Sequence, residues 1–140
     1  MNSMPDSDWF DRFSPSLDDI ERLAHAAYDR LPEHFRRLCA NLVIRVDDFP
    51  DEPTLDAMNC ETDFDLLGLF TGVGLAQEAA VAPTGRMPNM IYLYRRPLLD
   101  YWASYDETLG HLVTHVLVHE IGHHMGLSDD DIAAIEARVE

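Results

Sequence analysis

A chain of 140 residues suits one domain around a single core, and 46% hydrophobic with 9% aromatic residues marks a folding polypeptide, not a disordered one. Against 26 Asp and Glu stand 10 cations, all Arg, for a formal net charge of -16. That balance excludes a general nucleic-acid binder and argues against an anionic membrane surface, because no basic stripe exists to displace counterions.

Residues 1–15 are polar and acidic with scattered aromatics and are expected to form a loose arm, leaving 16–140 as the single domain. With no basic n-region and no apolar h-region, this start predicts no signal peptide, hence a cytoplasmic location. A helix is predicted from an N-cap at Ser16, its apolar positions Leu17, Ile20, Leu23, Ala24, Ala27 and Leu31 recurring at helical spacing. Pro32 suits the first turn of a shorter helix carrying Phe35 and Leu38. Asn41 to Val46 favours a strand, and the acidic stretch 47–65 reads as a surface connection with a short helix. Leu66 to Gly72 is a second strand or turn, followed by a looser stretch to Pro88. Ile91 to Arg95 is a third strand that Pro97 should end. The longest helix is predicted from Asp106 to about Met125 with Gly126 as its stop, and Ser128 opens a last helix to about Val139. No apolar run approaches the roughly 20 residues of a membrane span. The two cysteines, Cys39 and Cys60, make no CxxC and suggest neutral thiols, not a disulfide framework. The sum is a small α+β domain.

The chemistry concentrates in HVLVHEIGHHMGLSDDD, residues 115–131. On a helix, His119 and His123 are one turn apart and about 40° apart in angle, so their imidazoles can reach one metal ion from the same face. Glu120 projects within about 100° of both and can take a proton from a water beside the ion. Two neutral imidazoles and a carboxylate suit tetrahedral zinc with an open fourth position. Gly126 allows a turn that returns Asp129 beneath the histidines as third ligand, with Asp130 or Asp131 as alternatives. The competing reading is that these three aspartates only complement the positive end of the last helix. His111 and His115 extend the same i, i+4 ridge and read as surface or supporting histidines, or a weaker extra metal site.

HEIGHHMGLSD resembles the extended zinc motif of metzincin-type peptidases with Asp in place of the third His. With LLGLFTG at 66–72 and the P-x-x-I-x-L-Y-R-x-P pattern from Pro88 to Pro97, residues 16–136 resemble more closely the small bacterial zincin-like metallopeptidases, or minimal metalloproteases. That resemblance implies a compact zincin-like fold, with a small, about three-stranded sheet packed on the HExxH helix between flanking helices. It also implies His119, His123 and Asp129 as zinc ligands and Glu120 as catalytic base.

The leading expectation is therefore a zinc-dependent metallopeptidase acting on a peptide or protein substrate. The alternative is a catalytically weak or inactive zincin-like module that acts through a protein partner. A metal-dependent ribonuclease fits less well, since those carry HxxxH without this Glu and a charge of -16 repels RNA. In zincins an edge strand beside the active helix pairs with extended substrate. Ile91 to Arg95 is the expected candidate, with Tyr92 or Tyr94 able to hold an oxyanion or simply to pack. Arg95 and Arg96 are expected to make local ion pairs.

Overall fold

The computed structural model describes residues 9–39, 41–72 and 89–139. Most of the expected arm's first half and the looser stretch running to Pro88 lie outside these residues. None of the helices described is long and apolar enough to cross a membrane.

Helix α1, Leu17–Asp29, starts where the sequence predicts. Ser16 Oγ accepts from the Asp19 N–H and Asp19 Oδ2 accepts from the Ser16 N–H, a reciprocal capping box. Its Ile20, Ala24 and Ala27 are buried on one stripe. The short α2, Glu33–Leu38, buries Phe35, and α3, Glu52–Ala57, is capped by Asp51. Three strands follow the predicted positions: β1 Val43–Asp47, β2 Gly68–Thr71 and β3 Met90–Tyr94. They form a mixed sheet in the order β1-β3-β2, with β1 parallel and β2 antiparallel to β3.

Two features depart from the sequence reading. Pro97 does not end a strand in a loop; it is the third residue of a further helix, α4, Arg95–Ser104, which begins directly after β3. The first turn of a helix has no intrahelical use for its N–H groups, so proline is tolerated there. The long helix α5 spans Leu109–His124 and so begins three residues later than predicted. Thr108 stops it from starting earlier, its hydroxyl accepting from the His111 N–H as N-cap. The last helix is α6, Asp129–Val139.

The core joins these elements. Ile20 and Ala24 of α1, Ile91 and Leu93 of β3, Leu98 of α4, Leu112, Val113, Leu117 and Ile121 of α5 and Ile132 of α6 are essentially fully buried in one cluster. Helix α5 is thus surrounded by α1, the sheet, α4 and α6. The result is a small α+β fold with the HExxH helix at its centre. Cys39 is buried and Cys60 half-buried, and both are free thiols.

Candidate metal centre

The HExxH pair stands on the last turns of α5, and the way that helix ends builds the rest of the site. Gly126 takes φ of +79°, a left-handed conformation that glycine adopts without steric cost. The Leu127 N–H then donates to Gly122 O at 2.9 Å and the Gly126 N–H to His123 O at 3.1 Å, which closes the helix as a Schellman turn. Two residues on, Ser128 Oγ accepts from the Asp131 N–H at 3.1 Å and starts α6. A Cβ at Gly122 would lie 2.6 Å from Ile132 Cγ1, so α6 folds back against α5 at a separation only glycine permits.

This antiparallel return sets two carboxylates of α6 along the histidine ridge of α5. Asp129 Oδ1 lies 3.1 Å from His123 Nε2. Two turns later, Glu136 Oε1 and Oε2 lie 2.7 and 2.9 Å from His115 Nδ1, and Oε1 lies 3.5 Å from His119 Nε2. The imidazoles of His115 and His119 are 3.9 Å apart between centroids, and those of His119 and His123 5.7 Å, edge to face. His111 is held by Glu107 at 2.7 Å. His124 turns away from the ridge, its ring 4.2 Å from Phe70.

The structure therefore brings the predicted His123 and Asp129 into contact and sets His119 beside them on the same face. Asp130 and Asp131 fall in the exposed first turn of α6 with Asp129, where they also complement the helix dipole. Glu136 was not singled out by sequence reasoning, although a second acidic residue two turns after Asp129 on the same helix was the available signal. Together with His115 and His119 it forms a group whose donor atoms all lie within 4.8 Å of one another.

The electrostatics suit a metal-binding helix. Burial, and then the like charge of His115, hold His119 below the usual histidine range, with Glu136 opposing the shift. A neutral imidazole is the ligating form. Burial pushes the half-buried Glu120 above the usual carboxylate range, against the pull of His123 and a backbone hydrogen bond at Phe70. The donor set of imidazoles one turn apart with facing carboxylates, and no arginine among the described residues pairing with those carboxylates, fits a zinc-class ion.

The edge strand beside this helix is β2, not β3. Tyr94 N–H donates to Leu67 O at 3.0 Å, so in the antiparallel ladder Leu69 also pairs inward and the backbone groups of Gly68 and Phe70 face the outer edge. A Cβ at Gly68 would meet Val116 Cγ1 at 2.8 Å, so β2 lies tight on α5. Of residues 91–95, expected at the edge, 91–94 instead hold the centre of the sheet, because β1 claims the other side of β3, and Arg95 opens α4. Tyr92 and Tyr94 alternate away from Ile91 and Leu93. Their stacked rings, 6.5 Å apart, line a groove of about 650 Å³ with Arg45, Asp47 and Thr71 on the far face. Neither can reach an oxyanion at His119 and His123. Arg95 pairs locally as expected, with Asp48 at 3.1 Å and with Ser14 Oγ at 3.0 Å, while Arg96 lies over the Phe49 ring.

The sequence model of the zincin-like metallopeptidase family matches residues 39–139, which include the whole sheet and both helices of the site. No curated protein gives a significant match to the chain.

Proposed function

The chain belongs to the zincin-like metallopeptidase family, and from that premise we propose that it is a zinc-dependent hydrolase of peptide bonds in the cytoplasm. His119, His123 and Asp129 would hold the ion and Glu120 would be the general base. The observation that carries this reading is the placement of Glu120. It lies between two ligand-type histidines on α5, half-buried and hydrogen-bonded to the backbone of the edge strand β2. A solvated histidine ridge would give no reason to bury a carboxylate there.

When bound, zinc would supply a Lewis acid for the scissile carbonyl and lower the pKa of an attacking water to about 7. The chain's own residues do the remainder. Glu120 takes the water's proton on its free carboxylate oxygen and passes it to the nitrogen of the leaving amine. The backbone hydrogen bond at Phe70 favours the charged, proton-accepting form of that carboxylate against the effect of burial. The outward-facing N–H and C=O of Gly68 and the C=O of Phe70 offer hydrogen bonds to an extended peptide laid along β2, the strand-addition mode of recognition. A charge of -16 favours basic peptides approaching this edge over acidic ones.

The test is Glu120→Gln in zinc-reconstituted protein assayed on a peptide library. The variant is expected to keep about one zinc per chain and to lose at least a hundredfold in turnover, the scale of a lost general base. Turnover equal to wild type would remove Glu120 from the mechanism. Zinc retained by a wild-type chain that cleaves nothing would leave the metal-binding module acting through a protein partner.

A further inference from the structure

The histidine ridge continues one turn beyond the peptidase ligands, and its outer part is more complete than a supporting role requires. The Glu136 side chain is only 13% exposed, yet among the described residues its sole partners are the imidazoles of His115 and His119. Among the described residues no arginine and no backbone N–H reaches it. Two imidazole rings with centroids 3.9 Å apart, tilted by 31°, turn their nitrogens onto one sheltered carboxylate. Such a carboxylate is costly to bury without a cation. The donor spacing suits one: around a tetrahedral zinc with bonds of about 2.0–2.1 Å, neighbouring donors lie about 3.3 Å apart. The His119 to Glu136 distance of 3.5 Å already matches. The His115 to Glu136 distance of 2.7 Å would open by roughly half an ångström to admit the ion.

We propose that α5 and α6 carry a second divalent-metal site, His115, His119 and Glu136, one helical turn from the peptidase ligands and mutually exclusive with them. The exclusion follows from His119. A neutral imidazole has one lone-pair nitrogen and ligates one ion at a time, so an ion held by His115 and Glu136 withdraws His119 from His123 and Asp129. The chain thus has a resting position and a working position for the same ion, and the ratio of the two affinities sets the fraction of metal-loaded chains able to hydrolyse peptides. The proposal rests on the peptidase reading only in taking His119 as the shared ligand.

Cobalt(II) is the probe, because its visible bands report ligand number and type without any substrate. His123→Ala/Asp129→Ala removes the peptidase ligands and is expected to bind one Co(II) per chain with tetrahedral-type bands. Adding Glu136→Gln, nearly isosteric, should weaken that binding at least tenfold, with the fold checked by far-UV circular dichroism. Failure of the folded double variant to bind Co(II), or binding that neither Glu136→Gln nor His115→Ala weakens, overturns the proposal. Should the double variant fail to fold, the otherwise wild-type chain decides. Its Co(II) spectrum is expected to collapse from two components to one on His115→Ala/Glu136→Gln, and an unchanged spectrum overturns the second site. That same variant keeps His119, His123 and Asp129. Its zinc uptake and its turnover on the peptide library therefore test the peptidase reading separately: one zinc per chain together with cleavage upholds that reading whatever becomes of His115 and Glu136.

Discussion

Asp129 is a first-turn residue of α6 and a contact of His123 at once. Its side chain is 93% exposed, so little but His123 and the helix dipole fixes its position. Asp129→Ala is expected to weaken zinc binding by more than the roughly 10- to 100-fold typical of losing an outer partner of a ligand. Competition against a chromophoric chelator measures this, and unchanged affinity would pass the third-ligand role to Asp130 or Asp131. At this scale much of the site was legible, because helical geometry alone sets His119, Glu120 and His123 on adjoining directions. Glu136 was not legible. Its meeting with His115 depends on how sharply Gly126 turns the chain and how closely Gly122 lets α6 approach, and neither is a property of the residues near position 136.

The pairing of α5 with α6 is the element on which the two facing carboxylates, Asp129 and Glu136, depend. Gly122→Val would drive a branched side chain into Ile132, fully buried and within 2.8 Å of the new Cβ through two of its carbons. Overpacking of this kind costs about 1–3 kcal/mol, and because the strain parts α6 from α5, zinc affinity should fall with it. Ser16→Ala removes the capping box of α1, far from the site, and should cost about 1 kcal/mol with zinc affinity unchanged. Urea denaturation beside chelator competition separates the two cases; equal zinc affinity in both variants would show that the α5–α6 contact does not position the carboxylates. The elements themselves were mostly readable from periodicity and punctuation. Helix α4 escaped because Pro97 reads as a terminator unless the helix is already known to start two residues before it. The central place of β3 escaped because strand order is decided by pairing between segments, which a single strand's sequence does not encode.

Across the molecule, two phenols, Tyr94 buried and Tyr28 half-buried, set an alkaline limit. Burial first, then neighbouring groups, push Tyr28 and Tyr94 up to about 12, above the ordinary value near 10. Between those values the unfolded chain has released the protons that the folded chain still holds, so the folded state binds more protons and stability falls as pH rises. Their contribution is complete below pH about 10 and is lost as the pH climbs to about 12. Urea midpoints should therefore decline across that interval in step with tyrosinate absorbance, and a flat profile would mean both phenols ionise freely in the native fold. One further consequence follows from the partners of α1. Its buried stripe faces α5, which begins 80 residues after α1 ends, and Arg95 reaches back to Ser14. On a ribosome α1 and the β1 strand it also packs against emerge long before α5, so the helix cannot be fully covered until residues 109–124 have been made. Chains arrested after residue 105 should be cut readily by a protease within residues 17–29, whereas chains that extend through α5 and α6 should resist. Protection in the arrested chains would show that α1 finds shelter without α5.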